Sequence, residues 1–233
     1  LGDVYKRQDV ASQDWDTKAG TMLSGGDTSD LFMVKQNINI MNWAQQGFAE
    51  PLTDYIAKDN YDLSGFVGME PNYALDGTQY ALPFRSDFWV LFYNKTLFEE
   101  LNLTVPSTWE DLVETCKAVK AAKGEDVLPF GIDSPIDLAQ TLFLEAGYTY
   151  IDTENKCVGF AEGEKVAAWL GEQLTAGLFS KDAPSGGYFS DDFNTGKVAM
   201  YYGSCAGVPY IKPNGFEYAV APAPSSTSEY KSY

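Results

Sequence analysis

One six-residue run constrains this chain more than any other: Phe88-Trp89-Val90-Leu91-Phe92-Tyr93, aromatic and branched without a polar interruption. Such residues suit a pleated strand. A strand with one wet face would alternate apolar with polar residues; this run does not, so both of its faces are expected to be buried. Burial on both faces requires helices on either side of a sheet, and the sequence supplies them. Residues 40–47 and 52–57 read as short helices split by Glu50-Pro51. Asn94 to Leu101 is a third. Ser107-Thr108-Trp109-Glu110, after Pro106, is a capping box opening a helix to about Ala122. Residues 136–146 and 166–176 are helical, closed by Gly147 and Gly177.

Between these lie further strands. Leu31-Phe32-Met33-Val34 reads as a buried parallel strand, and Tyr80-Ala81-Leu82 as a strand after the Asp76-Gly77 turn. Residues 127–132, 198–202 and 218–221 complete the set. The alternation predicts an α/β fold with mostly parallel sheets.

Composition narrows what such a fold could do. The 233 residues suffice for one large domain or two modest ones. Thirty-three acidic against 16 basic residues leave a net charge of −17, which repels polyphosphates and argues against nucleic acid or an anionic membrane as partner. Histidine is absent, which excludes serine–histidine and cysteine–histidine nucleophiles within the chain. The three cysteines, Cys116, Cys157 and Cys205, form no CxxC pair, so neither a zinc site nor a disulfide framework is expected. Cys116 falls at helical spacing with Leu112 and Val119 and reads as core. No apolar run is long enough to cross a membrane.

Both ends read as cut. Asp3 to Gln8, DVYKRQ, resembles the translated end of a transposon adapter used in sequencing libraries, and residues 225–233 form a polar stretch that follows a strand. The expectation is a piece of a longer chain.

Four places carry polar chemistry. Arg85-Ser86-Asp87 stands between two apolar strands, where a plain turn would be ordinary. Asp87 could accept hydrogen bonds from ligand hydroxyls, or form a structural pair with Arg85. Lys35-Gln36-Asn37 follows an expected strand at its carboxyl end, where ligands sit in open α/β sheets; a solvated loop is the other reading. Tyr201-Tyr202-Gly203-Ser204-Cys205 ends a strand in the same way. A tyrosine there could stack a sugar face, the adjacent pair could ligate ferric iron, or one ring could be core. Tyr148, Tyr150, Tyr188 and Phe189 lie in glycine-containing loops, as ligand contacts or lids. The acidic pairs Glu99-Glu100 and Asp191-Asp192 read as solvated helix surface rather than glycosidase carboxylates.

Together these segments resemble the family-1 extracellular solute-binding proteins, the capture subunits of bacterial ATP-driven sugar importers. The resemblance runs from about Asp27 to Pro224. It is carried, in order, by Asp30–Val34, Trp43–Leu52, Asp76–Pro83 with Trp89–Lys95, Pro106–Leu112 and Phe193–Met200. It implies a two-lobed, periplasmic-binding-protein-like clamp of type II, incomplete here. Residues 1–84 would be a partial first lobe, 85–89 a hinge crossing, and 90–233 a second lobe lacking its return segments. The resemblance makes Asp87 a ligand contact, with Lys35, Gln36 and Asn37 facing the cleft from the first lobe. Tyr202, Gly203, Ser204 and Cys205 would face it from the second.

The family usually places Trp where Cys205 stands, so Tyr202 would take over the stacking. Arg85 and Ser86 would join the donors, while Trp43 and Tyr148 would add apolar faces. The implied protein is an extracytoplasmic monomer, periplasmic or lipid-anchored, that binds a mono- or oligosaccharide without a cofactor and docks on a membrane permease. The same clamp could hold a polyamine, a peptide or ferric iron; a carbohydrate-active enzyme is the remaining alternative.

Overall fold

Two local rules recur in this chain: short polar side chains take up free N–H groups at several helix starts, and residues able to adopt positive φ make tight turns. The computed structural model describes residues 14–26, 30–34, 37–65, 74–84, 87–148, 151–152, 157–158 and 163–226. It divides into two compact units, Leu1–Ser86 and Asp87–Tyr233.

Unit 1 contains helices α1 (Trp15–Ser24), α2 (Asn37–Gln45) and α3 (Thr53–Asp59) and a hairpin of β1 (Ala74–Leu75) and β2 (Thr78–Gln79). Asp76 and Gly77 both take positive φ, 51° and 78°, the backbone that a two-residue hairpin turn requires. Ala19, Leu23, Ile40 and Trp43 form its buried cluster, with Phe32, Val34 and Tyr80 against it. Gln79 ties the hairpin to α3: its N–H donates to Thr53 Oγ1 at 2.9 Å, and its carbonyl accepts from Leu52 N–H at 2.7 Å.

Two sequence expectations fail in this unit. Leu31–Val34 joins no sheet among the described residues, and Leu31 and Met33 are 92% and 59% exposed. Apolar residues on both sides of the run suggested burial on both; among the described residues, core material packs against Phe32 and Val34. Residues 80–82 are likewise not a strand, because the ladder stops at Gln79.

Unit 2 is built on the run singled out above. Strand β3 (Trp89–Asn94) passes into α4 (Lys95–Glu100), with the buried Asn94 side chain accepting the Leu97 N–H as N-cap. Helix α5 (Trp109–Lys123) follows. Its capping box is one residue later than expected: Thr108 accepts from Asp111 N–H, and Asp111 accepts from Thr108 N–H. Then come β4 (Leu128–Ile132), α6 (Pro135–Glu145), the hairpin β5 (Ile151–Asp152) and β6 (Cys157–Val158), and α7 (Glu164–Thr175). The unit continues with β7 (Phe179–Ser180), α8 (Phe189–Asn194), β8 (Val198–Ser204), a 3-10 helix over Cys205–Tyr210, and β9 (Tyr218–Pro222).

The five-stranded sheet runs β7-β4-β8-β3-β9. Strand β4 is parallel to β7 and β8, whereas β3 is antiparallel to both β8 and β9. The expectation of mostly parallel pairing is thus half met. Burial on two faces reports coverage, not strand direction. Leu91, Met200 and Tyr202 pack with residues of α5 and α6, while Val90, Phe92 and Tyr201 pack with Phe189 and Phe193 of α8. Gly131 must be bare, since a Cβ there would stand 2.2 Å from the Phe189 ring. Cys116 is fully buried in the first of these cores, and that burial drives its thiol far above the ordinary range.

Asp192 corrects another expectation: it is buried, accepting the N–H and hydroxyl of Ser185, both at 2.9 Å. At the end of α6, Glu145 Oε2 accepts from Trp109 Nε1 at 2.6 Å and from Ser226 N–H at 3.0 Å. Burial raises that carboxyl while both donors hold it down. Ser225 is threaded beside the same spot, its N–H donating to the Ser107 carbonyl and its carbonyl accepting from Trp109 N–H.

Candidate functional site

Parallel strands β4 and β8 finish at the same edge of the sheet, and antiparallel β3 begins there. The carboxyl ends of parallel strands leave helix N-termini and loops free to meet a ligand. The pairing of Trp89 with Ser204 sets the register, placing Asp87 just before β3 and Cys205 just after β8 side by side. Cys205 N–H donates to the Phe88 carbonyl at 2.9 Å and extends the ladder one step.

Asp87 is exposed yet held in place. Ser204 Oγ lies 2.8 Å from both of its oxygens, and Cys205 Sγ donates to Oδ1 at 3.1 Å. Ser204 Oγ in turn accepts the Ala206 N–H, as the cap of the 3-10 helix. An exposed carboxylate with a fixed orientation retains lone pairs for hydroxyl donors. Its described partners are therefore Ser204 and Cys205, while Arg85 and Ser86 lie outside the described residues.

The structure places the other expected residues differently. Tyr202 is 1% exposed, stacked on Trp89 at 5.0 Å and 9°, with its hydroxyl 3.3 Å from Thr141 Oγ1. Burial pushes its phenol up to about 12, Thr141 opposing. It is part of the core and offers no free ring to a sugar; the partly exposed Trp89 covers it. Tyr201 packs on the opposite face of the sheet, stacked on Phe92 at 4.6 Å. Successive strand residues point to opposite faces, so this pair cannot chelate one iron atom. Of the loop aromatics, Phe189 is core, Tyr188 is exposed and Tyr150 lies outside the described residues.

Trp43 is buried in the unit 1 cluster, edge-on to Phe32 at 6.3 Å. Tyr148 packs edge-on against Phe143 beyond α6, which separates it from the strand end by about 16 Å of helix. Lys35 and Gln36 lie outside the described residues; Asn37 begins α2, its side chain outside the description too.

Gly203 was expected for close backbone approach, and its surroundings reveal a residue the sequence reading missed. A Cβ at Gly203 would lie 2.5 Å from the Tyr201 ring and 2.9 Å from Asp133 Oδ2. Asp133 follows β4 directly; its N–H donates to the Tyr202 carbonyl at 3.0 Å, and its Oδ1 accepts the Phe189 N–H at 3.2 Å. The residue reaches solvent, but its carboxylate is crowded against Gly203 and the start of α8. That loss of water raises it to about 6, the Phe189 N–H opposing. Its position at a strand's carboxyl end, before Ser134-Pro135, was the available signal.

Three exposed apolar side chains stand next to these two carboxylates along the chain or beside α8. Phe88 is 62% exposed, and Ile136 in the first turn of α6 and Tyr188 before α8 are each 72% exposed. Rings and alkyl groups beside fixed carboxylates suit a ligand with C–H faces and hydroxyl edges. A depression of about 410 Å³, lined by Lys120, Gly124, Val127, Leu128 and Lys197, is at the other end of β4 and β8.

The chain has the fold of the two-lobed periplasmic sugar-binding proteins. An ABC substrate-binding protein from Listeria monocytogenes in complex with cycloalternan superposes with a TM-score of 0.78 at 23% identity, covering 94% of this chain and 58% of that one. The chain belongs to the bacterial extracellular solute-binding protein family, whose sequence pattern matches residues 6–229. A multiple sugar-binding protein of Streptococcus mutans is 30% identical over 45% of this chain and 25% of its own length. A maltotriose-binding protein of Pyrococcus abyssi is 25% identical, covering 91% and 45%. The chain spans less than half the length of these curated relatives.

Proposed function

We propose that this chain is part of the substrate-binding component of a bacterial ATP-driven importer, capturing a mono- or oligosaccharide outside the membrane and delivering it to the permease. The observation that carries this is the carboxyl edge of unit 2: Asp87, oriented by Ser204 and Cys205, beside the exposed Phe88. Asp87 would accept ligand hydroxyl protons, and Phe88, Trp89 and Tyr188 would lie against C–H faces. Lys35, Gln36, Asn37, Arg85 and Ser86 remain candidate donors.

The chemistry is binding, not bond breaking, and relatives that bind a maltotriose or multiple sugars support a glycan. Residues 85–89 would act as the hinge crossing. A ligand held better by a closed form would shift the population toward it and signal occupancy to the permease. The site of action would be extracytoplasmic, in the periplasm or at a lipid anchor, with a monomer as the working form. No helix among the described residues is long and apolar enough to cross a membrane. A second reading, a ligand bearing an amine, is favoured by one observation: Asp133 adds a second carboxylate to the edge.

A thermal-shift screen of common mono- and oligosaccharides, with spermidine and ferric iron alongside, tests this. Ligand at 100 times its dissociation constant stabilises by about 2.7 kcal/mol. One sugar is expected to raise the midpoint, and Asp87→Ala to abolish the rise. A shift with spermidine alone moves the substrate class to amines. Turnover of aryl glycosides that Asp87→Asn abolishes would overturn binding-only chemistry.

A further inference from the structure

Two segments of unit 2 carry the Asn-x-Thr pattern at which N-linked glycans are attached, Asn94-Lys95-Thr96 and Asn102-Leu103-Thr104, and the fold treats them in opposite ways. Attachment requires the asparagine amide and the hydroxyl two residues on to be reachable together. In the first segment both are spent on the fold. Asn94 is 7% exposed and caps α4 through the Leu97 N–H, while Thr96 Oγ1 accepts the Glu217 N–H at 2.9 Å. In the second, Asn102 and Thr104 are exposed, and neither side chain has a hydrogen-bond partner among the described residues.

Local packing explains the difference. Leu101 and Leu103 are half-buried in a cluster with Leu97, Val119 and Ala199, so the residues alternating with them turn to solvent. Asn102 takes φ 52°, where it closes α4: its N–H donates to the Glu99 carbonyl at 3.2 Å, and Leu103 N–H to the Phe98 carbonyl at 2.8 Å. Asparagine tolerates this left-handed backbone, and the closure uses main-chain groups alone. The side-chain amide is left over, on a fixed and outward turn. Glu100, two positions ahead, supplies the acidic residue of the longer pattern that bacterial transferases read; the matching position before Asn94 is Phe92. Lys123 holds one oxygen of the Glu100 carboxylate at 2.7 Å, and that side chain is 56% exposed.

We propose that Asn102 is an acceptor for an N-linked glycan and that Asn94 is not. In the transfer, Asn102 Nδ2 forms a bond to the anomeric carbon of an oligosaccharide carried on a polyprenyl diphosphate. The bond from that carbon to the diphosphate breaks, the diphosphate leaves with the electron pair, and Nδ2 gives up one proton. Nothing is oxidised or reduced. The leucines beside Asn102 share their cluster with Val127 and Ala199, at the amino-terminal starts of β4 and β8. The glycan would therefore stand at the end of the sheet away from Asp87 and leave the proposed solute edge open. That last point, and an encounter with the transferase outside the membrane, rest on the proposed function; acceptor competence does not.

The test is to incubate the folded chain with a purified bacterial oligosaccharyltransferase and a polyprenyl-diphosphate-linked oligosaccharide, then digest with trypsin and weigh the peptides. Cleavage after Arg85, Lys95 and Lys117 puts Asn94 in peptide 86–95 and Asn102 in peptide 96–117. The glycan mass is expected on 96–117 alone, and is expected to be lost in both Asn102→Gly and Thr104→Val. Glycine suits the left-handed turn, so Asn102→Gly should keep the helix closure and melt with the parent. Should it melt lower, Thr104→Val decides under the same criteria. Added mass on 86–95, or added mass that survives Thr104→Val, overturns the proposal. A folded chain left unmodified overturns it as well. If a free peptide of residues 96–117 is then accepted, the fold withholds Asn102; if it is refused, the pattern itself is no acceptor. Each readout stands whichever solute the chain binds, so failure of the sugar reading in a thermal-shift screen leaves it unchanged.

Discussion

Two apolar runs of this chain, one in each unit, met opposite fates. Trp89–Asn94 became a strand with neighbours on both sides and both faces largely buried. Leu31–Val34, with no polar residue at all, joins no sheet among the described residues and leaves Leu31 and Met33 in solvent. What separates them is supply rather than composition. In unit 2 the α5 and α6 helices cover one face of the sheet and α8 the other. In unit 1 the described core is four buried residues on one side of the run. An apolar stretch acquires its second buried face only where the chain brings material to it.

The largest effect that would sharpen this contrast is a truncation in each run. Phe92→Ala, at a fully buried ring, should cost about 3–5 kcal/mol in urea unfolding. Leu31→Ala should stay within about 0.5 kcal/mol. Comparable losses at both sites would break the comparison.

One helix start from each unit makes a second such pair. Thr108 caps α5 with a reciprocal bond to Asp111, whereas Asp14, at the start of α1, makes no side-chain cap bond. Thr108→Ala should destabilise by about 1 kcal/mol, and Asp14→Ala by far less, measured as midpoint shifts in the same denaturant series.

The smallest expected effect concerns charge. Because Asp133 titrates near 6 in the fold, against an ordinary value of 3.8, the native state favours its protonated form. Its ionisation therefore costs stability above pH 6, and that cost fades as the pH falls toward 4. Asp133→Asn, neutral throughout, should melt higher than the parent at pH 7.5 and together with it at pH 4. A constant difference across that range would assign the effect to packing instead.

Most of the helices, and strands β3, β4, β8 and β9 of unit 2, were legible because they rest on local signals: caps, closing glycines and branched or aromatic runs. The Asp76-Gly77 turn was legible for the same reason. Strand direction was not, since β3 looks alike whether its neighbours run with it or against it. In the site, Asp87 with Ser204 and Cys205 could be anticipated as two motifs but not as bonded partners, because strand register joins residues 117 apart. Tyr202 misled, since an aromatic at a strand end does not declare which ring of a stack faces outward. Asp133 was missed because its significance comes from Gly203 and Phe189, which are distant in sequence.

The knot at Glu145 has a mechanical consequence. Ser225 bridges in parallel to Thr108, and Ser226 shares the Glu145 carboxylate with the Trp109 indole. Tension applied along the segment after β9 would load these bonds together, in shear, instead of peeling them one by one. Force arriving through that segment would then pass to α5 and α6 as a body before the segment detached.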